Sequence, residues 1–327
     1  MARHLALIAD IGGTNARFGL TDPAAEAPEL LQPLALRNAD FASLQQAAGH
    51  YLATVGVQPG RAAIALACPV AGDQIRLTNR AWSFNRGELQ AALGLDDLVL
   101  LNDFGAIAHA VPALGEGDRV RLWGPARDAL TGPVSVLGPG TGLGVAMLVG
   151  SPANGWHVVE TEGGHVSFAP LGEEEQEIAR WTSARHGRTS WERLLSGAGL
   201  ATLDAVLRTT PGGRDPTVRE PAEVVAAALG GHDVAARRAL ARFCAILGSV
   251  AGDIALVQGA RTVMIAGGIV PRFVPFLRSS AFRERFLAKG RFAAYLEQVQ
   301  VQVVTHAHPG LLGAAVALRM PARDGGA

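Results

Sequence analysis

Apolar positions along this chain fall into short runs that end in glycine. His4 to Leu20, HLALIADIGGTNARFGL, holds an apolar run, a turn at Gly12-Gly13-Thr14, and a second run at Arg17-Phe18-Gly19-Leu20. Pro133 to Gly150, PVSVLGPGTGLGVAMLVG, repeats the design, with Gly138, Gly140, Gly142 and Gly144 around Thr141. Each stretch reads as a hairpin closed by a turn whose backbone amides no side chain shields. Amides presented this way form a pocket for an anion, most often a phosphate. Two such hairpins predict two related half-molecules that grip one polyphosphate between them.

The remaining pattern alternates strands with helices. Ala62 to Ala67, Trp156 to Glu160 and Val299 to Thr305 read as strands, and the unbroken apolar run Leu98 to Leu101 as a buried parallel one. Val263 to Ile269 is a further strand followed by paired glycines. Helices are predicted over Asp40 to Leu52, with Phe41, Leu44, Ala48 and Leu52 as the apolar stripe, over Glu88 to Leu93, and over Phe104 to Ala113. Glu173 to Glu177 opens another helix, since acids favour a helix start. Val218 to Ala228, Asp233 to Ala255, Phe273 to Phe286 and Arg291 to Tyr295 follow. Pro23 to Pro33 reads as a surface excursion and Pro112 to Pro133 as a loop-rich domain boundary. Pro309 to Arg319 is a terminal helix with small residues on one face. It is expected to return to the N-terminal domain, which otherwise lacks long helices to cover its sheet. The resulting fold class is α/β, with a small domain over residues 1–110, completed by a C-terminal helix over 306–322, and a large domain over 111–305.

Composition narrows the function. With 327 residues, 49% of them hydrophobic, the chain can build one large or two moderate cores. Its 29 basic and 29 acidic residues cancel, against the basic excess of a nucleic-acid binder. Lys289 is the sole lysine, which excludes a P-loop and the protein-kinase strand lysine. Any nucleotide must therefore be held by amides, hydroxyls, arginine or a metal. Cys68 and Cys244 encode neither a disulfide framework nor a zinc knuckle and read as buried thiols. The segment Ala239 to Val257 carries Arg242 and Asp253 and reads as a core helix rather than a membrane span. The start MARHLALIAD makes a poor signal peptide and a good first strand, so the cytoplasm is the expected location.

Candidate chemistry clusters at the strand ends. Asp10, beside the first glycine turn, is placed to hold a hydrated cation, or merely caps the turn. Thr14 and Asn15 add a hydroxyl and an amide; Arg17 has a weaker case. Thr78, Asn79, Trp82 and Ser83 face a sugar or close a hairpin. Asn102 and Asp103 lie past a buried strand, where open α/β sheets bind ligands. An amide beside a carboxylate suits a polyol, with helix capping as the plain alternative. Glu162 and His165 flank two glycines, and no H-E-x-x-H exists for a metalloprotease. Glu192 is a first-turn acid or a sugar contact. Gly267 and Gly268 offer a ledge for adenine or its ribose. Leu143 stands where a dinucleotide fingerprint needs its third glycine.

The chain closely resembles bacterial ATP-dependent glucokinases of the hexokinase, actin and Hsp70-like superfamily. The resemblance rests on Asp10-Ile11-Gly12-Gly13-Thr14-Asn15, Leu101-Asn102-Asp103-Phe104, Gly138-Pro139-Gly140-Thr141-Gly142-Leu143-Gly144, Glu162-Gly163-Gly164-His165-Val166, Trp191-Glu192-Arg193-Leu194-Leu195-Ser196-Gly197 and Ala266-Gly267-Gly268-Ile269-Val270-Pro271, in that order. It implies a two-domain, actin-like and ribonuclease H-like ATPase fold with sugar in an interdomain cleft. It implies glucose contacts at Asn102, Asp103, Glu162, His165 and Glu192, with Asp103 as general base. ATP would meet Asp10, Gly12, Gly13, Thr14 and Asn15, then Gly140, Thr141 and Gly142, with Gly267 and Gly268 at the adenosine and Asp10 on Mg2+ through water. A cytoplasmic homodimer is implied, with neither nucleic acid nor membrane as partner. The related repressor and sugar-kinase family (ROK) usually carries a cysteine-rich zinc motif after its sugar-binding histidine. Here His165 precedes Val166-Ser167-Phe168-Ala169-Pro170, and no DNA-binding domain is expected ahead of His4. A kinase for another hexose or amino sugar, and a sugar-sensing regulator, are the rival readings.

Overall fold

The first apolar run forms β1 (Ala6–Ile11), which turns back antiparallel into β2 (Asn15–Thr21) with Asp10 opposite Arg17. The computed structural model describes residues 4–77, 82–127, 129–208 and 217–319. Thr78 and Asn79, and residues 320–322 of the expected terminal helix, lie outside the described residues. Strand β3 (Leu31–Arg37) extends the hairpin at the sheet edge, a position where Pro33 breaks no inner ladder. That strand replaces part of the expected surface excursion. Helix α1 (Leu44–Val55) starts at Ser43, whose hydroxyl accepts from the Gln46 amide. It buries Leu44 and Ala48 of the expected stripe together with Ala47 and Tyr51, while Phe41 and Leu52 are partly buried against the same core; the helix itself begins later than Asp40. Strand β4 (Arg61–Leu66) pairs parallel with β1; β5 (Gln74–Arg76) and β6 (Ser83–Asn85) form a small hairpin. Helix α2 (Arg86–Ala92) leads to β7 (Asp97–Asn102), parallel to β4, and α3 (Asp103–Ala110) follows directly. The sheet order is β3-β2-β1-β4-β7.

A second sheet begins with β8 (Arg119–Trp123), which lies inside the stretch expected to be loop. Its alternation RVRLW spans only five residues and carries two arginines, as a short edge strand can. The second glycine hairpin is β9 (Val134–Pro139) and β10 (Leu143–Ser151), extended by β11 (Gly155–Thr161). Helices α4 (Gly172–His186), α5 (Trp191–Leu194), α6 (Gly197–Arg208), α7 (Pro221–Gly230) and α8 (Val234–Gln258) come next. Then β12 (Thr262–Ile265) runs parallel to β9. Short helices α9 (Val274–Ser279), α10 (Phe282–Leu287) and α11 (Ala293–Glu297) precede β13 (Gln300–Val304), parallel to β12. The order β11-β10-β9-β12-β13-β8 repeats the first sheet's plan of an antiparallel meander followed by two parallel strands. Helix α8 is long and apolar enough to cross a membrane by length and composition, yet two thirds of its apolar window is buried within the protein. Gly248 and Gly252 let α10 press against it: a Cβ at either would lie 2.2 Å from the Phe282 carbonyl or 2.5 Å from that of Phe286.

Helix α12 (Pro309–Ala317) closes the first sheet. The chain therefore falls into two units, one made of residues up to Gly117 plus those from His306 onward, the other Asp118–Thr305. The division lies after the expected 110/111, because a 3-10 turn at Val111–Ala113 continues from α3 and stays with the first unit. On β1, Leu7, Ala9 and Ile11 join the core of the α1 side, while Ala6 and Ile8 pack with Leu311, Ala314 and Ala315 of α12. Both faces are buried, so the strand shows no polar alternation. A Cβ at Gly313 would lie 1.6 Å from the Ala106 carbonyl oxygen, so α12 and α3 meet backbone to backbone.

Candidate active site

In the first unit the glycine turn is braced from both sides. The Gly12 amide donates to the Asn15 carbonyl at 3.0 Å. Asn38, fully buried, donates its side-chain amide to the Gly12 carbonyl at 2.8 Å and its backbone amide to the Thr14 carbonyl at 3.0 Å. Nothing in the local pattern marks Asn38, which sits in a three-residue 3-10 turn before α1. Thr14 is exposed at the tip, and Gly13 and Asn15 are half-buried.

Asp10 sits within β1, its carboxylate 3.7 Å from the Arg17 guanidinium and its side chain 21% exposed. Burial holds its carboxyl above the ordinary range, with Arg17 and then His308 pulling it back. Among the described residues no group of three or more His, Cys, Asp and Glu could hold a metal. A single under-compensated carboxylate beside a glycine turn nevertheless fits magnesium, which keeps several waters and takes one or two carboxylates plus phosphate oxygens. The first turn of α12 presses on this group: a Cβ at Gly310 would lie 2.7 Å from the Asp10 carboxyl carbon.

At the end of β7, Asn102 does cap a helix. Its side-chain oxygen accepts from the amides of Phe104 at 3.0 Å and Gly105 at 3.3 Å, and its nitrogen donates to the Cys68 carbonyl at 3.4 Å. The cap fixes where α3 begins and so delivers Asp103, its first residue, to the strand end. Asp103 is half-buried, and its Oδ1 accepts from the Phe104 amide at 2.8 Å. Trp82 packs into the core, and Ser83 pairs across the β5–β6 hairpin, its side chain exposed.

In the second unit, three of the expected sugar contacts come together. Ser190 caps α5 by accepting from the Arg193 amide, which sets Glu192 in the first turn. Glu192 Oε2 accepts from the Leu143 amide at 2.9 Å, while Oε1 lies 4.0 Å from His165 Nδ1. His165 Nε2 is 4.0 Å from Glu162 Oε2. Arg188, which sequence reasoning passed over, holds this segment by donating to the His165 carbonyl at 2.8 Å. Gly164 allows the segment to reach β10, since a Cβ there would meet the Leu143 carbonyl oxygen at 2.1 Å.

The nearby turn Gly140–Gly142 is closed by the Gly140 amide on the Gly142 carbonyl, 2.8 Å, and the Gly197 amide donates to the Gly140 carbonyl, 2.9 Å. Gly267 adopts φ +86°, and a Cβ on it would meet the Pro139 carbonyl oxygen at 2.4 Å. The ledge of Gly267 and Gly268 therefore lies directly beside the second turn. Lys289, the sole lysine, is paired with Asp253 at 2.6 Å.

Comparison with known proteins gives concordant matches. The sequence model of the family described as Glucokinase matches residues 7–321. The glucokinase of Chromobacterium violaceum is 46% identical over 317 residues, covering 95% of this chain and 88% of that protein. That of Psychromonas ingrahamii is 41% identical over 319 residues, covering 97% and 98%. The crystal structure of a glucokinase from an Antarctic psychrotroph superposes with a TM-score of 0.82 at 37% identity, covering 96% and 98%. A Balamuthia mandrillaris glucokinase in complex with glucose shares the fold, with a TM-score of 0.79 at 23% identity over 97% and 94%. A ROK family glucokinase from Streptomyces griseus is more distant, with a TM-score of 0.63 at 20% identity over 95% and 98%.

Proposed function

The chain belongs to the glucokinase family and phosphorylates glucose with ATP to glucose 6-phosphate, and on that premise we propose that Asp103 is its general base. The supporting observation is the Asn102 cap, which pins the first residue of α3 at the carboxyl end of a parallel strand. The fold is the two-lobed α/β arrangement of the actin, hexokinase and Hsp70 superfamily.

In this reading the Asp103 carboxylate accepts the 6-hydroxyl proton as that oxygen attacks the γ-phosphorus. The new O–P bond forms while the bond to the β-phosphate oxygen breaks, and ADP leaves. Phosphoryl transfer mostly requires positioning and charge stabilisation. The amides of Gly12, Gly13 and Thr14, with Asn15, and those of Gly140, Thr141 and Gly142 take the phosphates, and Gly267 and Gly268 border the adenosine. Magnesium, when bound, would supply positive charge that Lys289, engaged with Asp253, does not, and Asp10 is the residue that would hold it. Asn102, Glu162, His165 and Glu192 read the sugar hydroxyls. As the resemblance implies, the enzyme works as a cytoplasmic homodimer, which light scattering on the purified protein and cell fractionation check.

Replacing Asp103 with Ala should lower kcat by roughly 10²- to 10⁴-fold, the usual contribution of a general base, with glucose binding partly retained. Near-normal turnover would remove Asp103 from the role. A site that pairs buried groups with a hydroxyl rejects analogues that lack or misplace it. Glucose should therefore exceed mannose, fructose and N-acetylglucosamine in kcat/KM, and ATP should exceed polyphosphate in a coupled glucose 6-phosphate assay.

A further inference from the structure

Gly142 and Glu192 are separated by fifty positions in the chain's numbering, 142 to 192, and belong to different tasks in the reading above. The structure puts them in contact. A Cβ built on Gly142 would lie 2.3 Å from Glu192 Oε2 and 3.1 Å from its carboxyl carbon. The same Oε2 accepts the amide of Leu143, the next residue, at 2.9 Å. The Leu143 carbonyl is held in turn against Gly164, within the segment that carries Glu162 and His165. The turn is tied from its other end as well, through the Gly140 carbonyl and the Gly197 amide just beyond α5.

We infer that Gly142 is a positioning residue for glucose: the second phosphate turn sets the sugar affinity of the nucleotide-free enzyme by holding the Glu192 carboxylate. This rests on Glu192 being a sugar contact. Two features make the arrangement specific. Gly142 does not occupy the left-handed region, so its lack of a side chain serves space rather than backbone conformation. The obstacle its Cβ would meet is the far end of a glutamate, with no backbone in the way. An alanine there is thus accommodated by turning the carboxylate aside, which breaks the bond to Leu143 and moves Oε1 relative to His165. Gly140 is the contrast, because a Cβ on it meets nothing within 4 Å. The link also runs in reverse: with Glu192 removed, the Leu143 amide loses its acceptor and the turn its brace.

Glucose affinity is measured by isothermal titration without nucleotide, on Gly142→Ala, Glu192→Ala and the parent. A charge-assisted hydrogen bond is lost, so Gly142→Ala should bind glucose about tenfold more weakly or worse. ADP affinity without sugar should fall severalfold in Glu192→Ala. Melting temperature and far-ultraviolet circular dichroism establish that each variant is folded. Should Gly142→Ala not fold, the ADP titration of Glu192→Ala decides alone. Parental glucose affinity in a folded Gly142→Ala, or parental ADP affinity in Glu192→Ala, overturns the coupling. Parental glucose affinity in Glu192→Ala is a different failure: it removes Glu192 from the sugar site and takes the premise with it.

Discussion

Asp10 shows what one enclosed carboxylate does to the stability of a fold. It is largely enclosed, its nearest cation is 3.7 Å away, and Gly310 closes on its carboxyl group. An ionised group so placed destabilises the protein unless a partner compensates it. Asp10→Asn should therefore raise the melting temperature of the ligand-free enzyme while lowering its turnover and its response to magnesium, read by differential scanning fluorimetry and a coupled assay. Gly310→Ala should reproduce the loss of turnover without the gain in stability, because its Cβ displaces the carboxylate instead of neutralising it. The sequence already singled out Asp10, since a carboxylate next to a glycine turn is a local pattern. Gly310 and Asn38 were not legible, because each acts on a turn it meets only through tertiary folding. Asn102 caps α3, and that cap sets Asp103 as the first residue of the helix.

At the scale of elements, the acidic start of α4 does more than complement a helix dipole. Glu175 is fully buried and takes bonds from Arg285 at 2.7 and 3.1 Å, Arg242 at 2.9 Å and the Leu171 amide at 2.8 Å. It thereby ties α4 to α8 and α10. Burial pushes its carboxyl upward, but the Arg285 and Leu171 bonds outweigh that and hold it below the ordinary 4.5. Because the folded value is the lower one, this contribution to stability is whole above pH 4.5 and drains away as pH falls through the depressed value. Glu175→Gln should cost about 3–5 kcal/mol at pH 7, as leaving buried arginine uncompensated does. The gap from the parent in urea melts should narrow in acid. Helix α6 escaped the sequence reading because it begins Gly197-Ala198-Gly199, which looks like a break. Gly199 is there because a Cβ on it would lie 2.4 Å from the Leu194 backbone of α5. Edge strands β3 and β8 escaped because a proline and two arginines interrupt alternations too short to register.

Across the whole molecule, one strand plan occurs twice, and the two glycine hairpins were its visible trace in the sequence. Helix α12 belongs to the first unit, where small residues let it pack against α3. Gly313→Val should drive a side chain into the Ala106 carbonyl and destabilise the first unit by about 1–3 kcal/mol or more, as overpacking does. Limited proteolysis should then cut within residues 4–117 while 118–305 persists; equal cutting of both would mean that the units do not melt separately. The late position of α12 also has a consequence for biosynthesis. All five strands of the first sheet leave the ribosome before the helix that covers one of their faces has been translated. Synthesis of the intervening 118–305 takes on the order of 10 to 40 s at ordinary elongation rates. Through that interval Ala6, Ile8 and Ala63, which in the folded protein pack against Leu311, Ala314 and Ala315, lack that cover.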